Sequence, residues 1–171
     1  MEKIYNFLVA LILAAILVAL FPIKSDANSL SGDIVTENDP IPLDVRIACD
    51  VWGAHYNICP ELLEAIAYHE SRYDANAVNG TCKGLMQINT TAHQDRITRL
   101  GVSDLMDANQ NVKVAADYLA ELFAEHEDVC IVLGLYHGES GAIGRANNGN
   151  LSSYVCAILE KSEQLERSHG K

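Results

Sequence analysis

From Leu43 onward, apolar residues recur at helical spacing along most of the chain. Val45, Ala48, Trp52 and Tyr56 fall three or four residues apart, which predicts one helix, and Pro60 suits the first turn of a second. That second helix carries Leu62, Leu63, Ile66 and Ala67 on one side and is expected to end near Tyr73. Residues 74–91 contain Asn79-Gly80 and Gly84 and read as loop with short extended structure. Asp107 is a candidate N-cap for a longer helix whose stripe is Val112, Ala115, Ala116, Leu119, Leu122 and Phe123. Shorter helices are expected over 91–100 and 129–136, and a last one over 152–167. No repeat or low-complexity tract interrupts this pattern, so residues 43–168 predict a mainly α domain with one irregular region.

Two segments ahead of that domain break the pattern. Phe7 to Phe21 is an uninterrupted apolar run of about fifteen residues behind Lys3 and the terminal amine, short for a bilayer span of roughly 20 residues. It suits a signal-peptide core, and Ser25-Asp26-Ala27 supplies a small-x-small cleavage site. Residues 1–27 are therefore expected to act as a cleaved signal peptide or, uncleaved, as an N-terminal membrane anchor. Either way the domain would work outside the cytoplasm. Residues 28–42 are rich in Asn, Ser, Asp and Pro with isolated apolar residues, a composition that builds no core and reads as a flexible linker.

Composition narrows the function. The chain has 171 residues, with 12 Lys plus Arg against 23 Asp plus Glu and a net charge of −11. A field of that sign repels phosphate backbones, which excludes nucleic acid as a partner, whereas a local cleft can still take an uncharged polymer such as a glycan. The five cysteines, Cys49, Cys59, Cys82, Cys130 and Cys156, all follow the cleavage site. In an oxidising compartment they predict disulfides with one thiol left over, their pairing open. None of their spacings supplies zinc ligands. No nucleotide or flavin motif is visible either, so no cofactor is expected.

The chemistry begins at Glu70. It follows Ile66 by four residues and Leu63 by seven, which puts a carboxylate on the continuation of an apolar stripe. Burial and the negative end of the helix dipole would both favour its protonated form, making it a proton donor. Downstream, Gly84-Leu85-Met86-Gln87-Ile88-Asn89 combines a glycine that permits close approach, a flexible thioether and two amides able to bond acetamido and hydroxyl groups. In order and spacing, Glu70-Ser71, Ala77, Gly84 to Ile88, Asn111, Tyr118-Leu119, Tyr136 and Tyr154-Val155 resemble the lytic transglycosylase (SLT-type) family of the lysozyme-like superfamily. The resemblance spans most of residues 58–160.

What it implies is a lysozyme-like, mainly α (α+β) fold and an enzyme that cleaves the β-1,4 bond between N-acetylmuramic acid and N-acetylglucosamine in peptidoglycan strands. Glu70 would act as general acid and then base. Ser71 would assist near the reacting acetamido group, Gly84, Met86 and Gln87 would serve the sugar subsites, and Tyr136 would orient Glu70. The chain departs from the family where Tyr-Asn-Ala-Gly is usual: it has Tyr136-His137-Gly138-Glu139. His137 keeps a hydrogen-bonding side chain but can become charged near a pH of about 6.5.

If Glu139, Asp74 or Asp95 faced Glu70 across about 6.5 to 9.5 Å, a water could be activated and the enzyme would be a hydrolysing lysozyme. A noncatalytic wall-binding module would keep the cleft and lose the donor. His69-Glu70 lacks the second histidine of a zinc protease, because position 73 is Tyr73. A cysteine hydrolase built on Cys82 with His93 or His137 is a weaker reading than a structural role for that thiol. A small wall-cutting domain suits conjugation or secretion machinery, and growth, division or phage-derived settings as well.

Overall fold

The computed structural model describes residues 41–171. The proposed signal or anchor segment and residues 28–40 of the linker lie outside the described residues. Among these, seven helices and three short strands follow in order: α1 Leu43–Tyr56, α2 Pro60–Ser71, β1 Val78–Asn79, β2 Cys82–Lys83, β3 Ile88–Asn89, α3 Gln94–Arg99, α4 Ala108–Glu125, α5 Val129–Tyr136, α6 Ala142–Asn147 and α7 Ser153–Ser168. The fold is mainly α, as the periodicity predicts.

Local chemistry sets the ends of the elements that matter for the site. Pro60 occupies the first turn of α2, where its missing N–H costs nothing. At the other end Arg72 (φ 58°) and Tyr73 (φ 67°) both adopt the left-handed conformation, so the chain turns sharply just after Glu70-Ser71. Asp107 caps α4 by accepting from the Gln110 backbone N–H at 2.8 Å. Ser152 caps α7, its hydroxyl accepting from Val155 N at 3.2 Å.

α1 packs on α4 and α2, α2 packs on α7, and α5 packs on α4 and α6. The shared core takes Leu63 and Ile66 from α2, Val112 and Leu119 from α4, Leu133 from α5 and Ile158 from α7, none more than marginally exposed. The strands form an antiparallel sheet in the order β1-β2-β3, pairing Val78 with Lys83 and Asn79 with Cys82, then Cys82 with Asn89 and Lys83 with Ile88.

Four features differ from expectation. Ile41, assigned to the linker, is only 5% exposed and belongs to the core, because its side chain follows the packing of α1 and not the polar composition around it. α6 is an added six-residue helix, too short to show a period. All five cysteines are free thiols, so the expected bridges are not formed; Cys59 instead donates to Glu61 Oε2 at 3.0 Å.

The fourth is that α2 buries two carboxyl groups, Glu61 (2% exposed) and Glu64 (1%). Burial alone would raise Glu61, but hydrogen bonds from Cys59, Lys171 and His169 overcome it and hold the group at about 2. Glu64 has no such shell. Its Oε2 makes no hydrogen bond, and burial, reinforced by the charge of Glu61, pushes it up to about 7 against the opposing charges of His169 and Arg46.

Candidate active site

The end of α2, the sheet, α4 and the end of α5 enclose a cleft of about 410 Å³. Glu70 enters it from the last turn of α2, and among the described residues it is the only carboxylic acid in the lining. Asn79 and Asn89 from the strands and Gln87 from the loop between β2 and β3 add amide-bearing residues to the lining. His93, Tyr118 and Tyr136 form an aromatic side, with Tyr118 centred 4.6 Å from His93 and 5.7 Å from Tyr136. Amides and aromatic rings around one acid suit a polyhydroxylated, acetamido-bearing chain.

Tyr154, from the first turn of α7, donates its hydroxyl to Glu70 Oε1 at 2.7 Å. Burial, then the charge of Glu70, pushes this phenol far above its ordinary value, so it remains a donor at every working pH. This corrects the partner expected for Glu70. The Tyr136 hydroxyl donates to the Met86 carbonyl at 2.9 Å, because α5 directs it into the loop and the packing of α7 on α2 brings the other tyrosine to the acid. Tyr136 still lines the cleft.

Asn111 builds the loop. Wholly buried on α4, it accepts from Met86 N at 2.7 Å and donates to the carbonyls of Lys83 at 3.0 Å and Leu105 at 2.8 Å. Gly84, with φ 74°, sits against this amide: a Cβ there would lie 2.1 Å from the Leu105 oxygen and 2.3 Å from Asn111 Nδ2. Its close approach is thus to the protein's own framework and not to a sugar. Gln87 is left-handed (φ 47°) and steadies its own turn, its Nε2 donating to Gly84 O at 2.8 Å and Ala77 O at 3.2 Å.

Of the residues singled out from the sequence, the structure brings Glu70, Gln87, Tyr136 and His137 together at the cleft. Ser71, Gly84 and Met86 are outside its lining. Ser71 returns its hydroxyl to the Ala67 carbonyl at 3.2 Å, inside its own helix. Met86 is fully buried, since the loop directs its apolar side chain into the core and its carbonyl to Tyr136. None of the candidate second acids is in the described lining of the cleft. Asp74 is exposed and caps a turn through Asn76 N at 2.8 Å, Asp95 is exposed on α3, and Glu139 is engaged by Ser152 and His137. Tyr154 and Asn111 carry functional geometry that the sequence reading had named only as points of resemblance.

A family model described as the transglycosylase SLT domain matches residues 48–153, more than half of the chain. The chain is 32% identical over 129 residues to the X polypeptide of Escherichia coli, an alignment covering 71% of this chain and 75% of that protein. It is 41% identical over 69 residues to the membrane-bound lytic murein transglycosylase F of Alcanivorax borkumensis, covering 39% of this chain and 14% of that one. A protein of the same name from an Enterobacter species is 38% identical over 68 residues, 39% of this chain and 12% of that one. The matched span begins in α1 and ends at α7, enclosing Glu70, the Asn111-braced loop and the aromatic wall, and the chain belongs to the SLT-type lytic transglycosylase family.

Proposed function

We propose that this protein is a peptidoglycan lytic transglycosylase that cleaves the β-1,4 bond between N-acetylmuramic acid and N-acetylglucosamine and closes the muramoyl sugar to a 1,6-anhydro ring. The observation that carries this reading is Glu70 as the single carboxylic acid of the cleft lining among the described residues, hydrogen-bonded by Tyr154. With Oε1 accepting from the phenol, the acid proton is carried on the other oxygen and passes to the glycosidic oxygen as the bond to C1 breaks. The carboxylate then takes the proton of the C6 hydroxyl while that oxygen closes on C1, and the acid is regenerated. No water enters, so no second carboxylate is needed, whereas hydrolysis with inversion needs one about 6.5 to 9.5 Å away.

The substrate places the reaction outside the cytoplasm, consistent with residues 1–27 acting as signal or anchor. No helix of the described residues is long and apolar enough to cross a membrane; retention at the membrane would rest on Phe7 to Phe21. A wall-cutting domain of this size suits envelope machinery that must open the wall locally, such as a conjugation or secretion system.

Digestion of purified peptidoglycan tests the reading. Anhydromuramoyl ends are expected from the wild type, with no turnover from Glu70→Gln at unchanged fold. Reducing ends would identify a lysozyme, binding without cleavage a wall-binding module, and full activity of the variant would remove Glu70 from the mechanism.

A further inference from the structure

The loop after α5 carries the chain's departure from the family pattern, His137-Gly138-Glu139, and it meets the acid's hydrogen-bond partner from two directions. The His137 ring lies flat on the Tyr154 ring, centroids 3.9 Å apart and planes 9° from parallel. Its Nδ1 is 3.3 Å from Glu139 Oε1. The same oxygen accepts from the Ser152 hydroxyl at 2.6 Å, and Ser152 is the N-cap of α7, two residues before Tyr154. Arg145 on α6 approaches the second oxygen, Nε to Oε2 at 3.9 Å. The Ser152 hydrogen bond first, then those groups, hold the Glu139 carboxyl below its usual range. His69 of α2 also meets the Tyr154 ring edge-on at 4.8 Å.

We propose that Glu139 and His137 are positioning residues for the acid: the carboxylate ties down both the imidazole on the phenol's face and the cap of the helix that carries the phenol, and so fixes Tyr154 against Glu70. This rests on the proposed role of Glu70. A phenol clamped on its ring and at its backbone samples few geometries, and proton transfer is steep in donor placement. Glu139 is thereby engaged in holding Tyr154, which gives this second acid a task other than activating water.

A double-mutant cycle with soluble glycan strands tests the coupling. Glu139→Ala is expected to lower kcat about tenfold with KM held within about twofold, since the clamp acts on the reacting acid and not on strand binding. Tyr154→Phe should lower kcat at least as much. Adding Glu139→Ala to Tyr154→Phe should then cost less than about twofold, because the clamped group is gone. His137→Leu, which keeps bulk and loses the nitrogen, should show the same loss and the same non-additivity, and it stands in if Glu139→Ala fails to fold. Losses that multiply, an unchanged kcat in either loop variant, or a loss carried by KM would overturn the proposal. Each of those results with Glu70→Gln inactive would leave the acid in place, whereas an active Glu70→Gln would remove the reading beneath it.

Discussion

Glu64 makes the stability of this domain depend on pH in a direction opposite to ordinary acid denaturation. Its carboxyl is 1% exposed, has an oxygen without a hydrogen bond, and titrates at about 7 in place of 4.5. A raised carboxyl binds its proton more tightly folded than unfolded, so its contribution is intact below the unfolded value and is lost as pH rises through the folded one. Between pH 4.5 and 7 the loss is one proton's worth, about 1.4 kcal/mol per pH unit, accumulating to roughly 3 kcal/mol.

Two histidines work the other way. His69 and His93 are both held below their ordinary value, chiefly by burial, so they add stability as pH rises toward about 6.5. The wild-type curve therefore mixes opposing slopes, and the informative quantity is its difference from Glu64→Gln, in which the histidines cancel. Urea unfolding of both proteins at intervals from pH 5 to pH 8 should show the variant gaining on the wild type by roughly 2.5 kcal/mol across that range. A difference that does not change with pH would mean that Glu64 is ionised throughout in the folded protein, and the burial argument would be wrong.

Other outcomes follow from the same geometry. Asn111→Leu should cost about 3 to 5 kcal/mol, since it orphans the buried Met86 N–H and two half-buried carbonyls, and thermal unfolding together with loss of cleavage would register it. Gly84→Ala should cost about 2 kcal/mol or more, because the added methyl meets Leu105 O and Asn111 Nδ2 at a positive φ; calorimetry of the variant gives the value. Glu61, held at about 2, supplies stability above its unfolded value that is lost as pH falls from about 4.5 toward 2. Glu61→Gln should flatten that acid limb in circular-dichroism titrations.

The site was legible in the sequence where chemistry and spacing are local. Glu70 at the end of an apolar stripe, the Gly-Leu-Met-Gln-Ile loop and the odd His137-Gly138-Glu139 turn all stand out as strings of residues. The role of Tyr136 did not. The resemblance pointed to Tyr136 as the acid's partner, and the docking of α7 on α2 assigns Tyr154 to Glu70 and leaves Tyr136 to the loop. Met86 and Gly84 likewise read as subsite residues because a loop sequence does not say which of its side chains face inward.

The sequence alone determined the helices other than α6, since an amphipathic stripe is decided by residues within a few turns of one another. It also placed the end of α2 near Tyr73, where the left-handed residues Arg72 and Tyr73 stop the helix at Ser71. Tertiary packing decided everything that depends on residues far apart in the chain. It buried Glu61 and Glu64 in a helix whose pattern shows only their leucines, braced the loop on Asn111 from 25 residues away, and gave the acid a phenol 84 residues downstream. Side-chain identity sets what a group is able to bond, and the fold alone sets which partner reaches it.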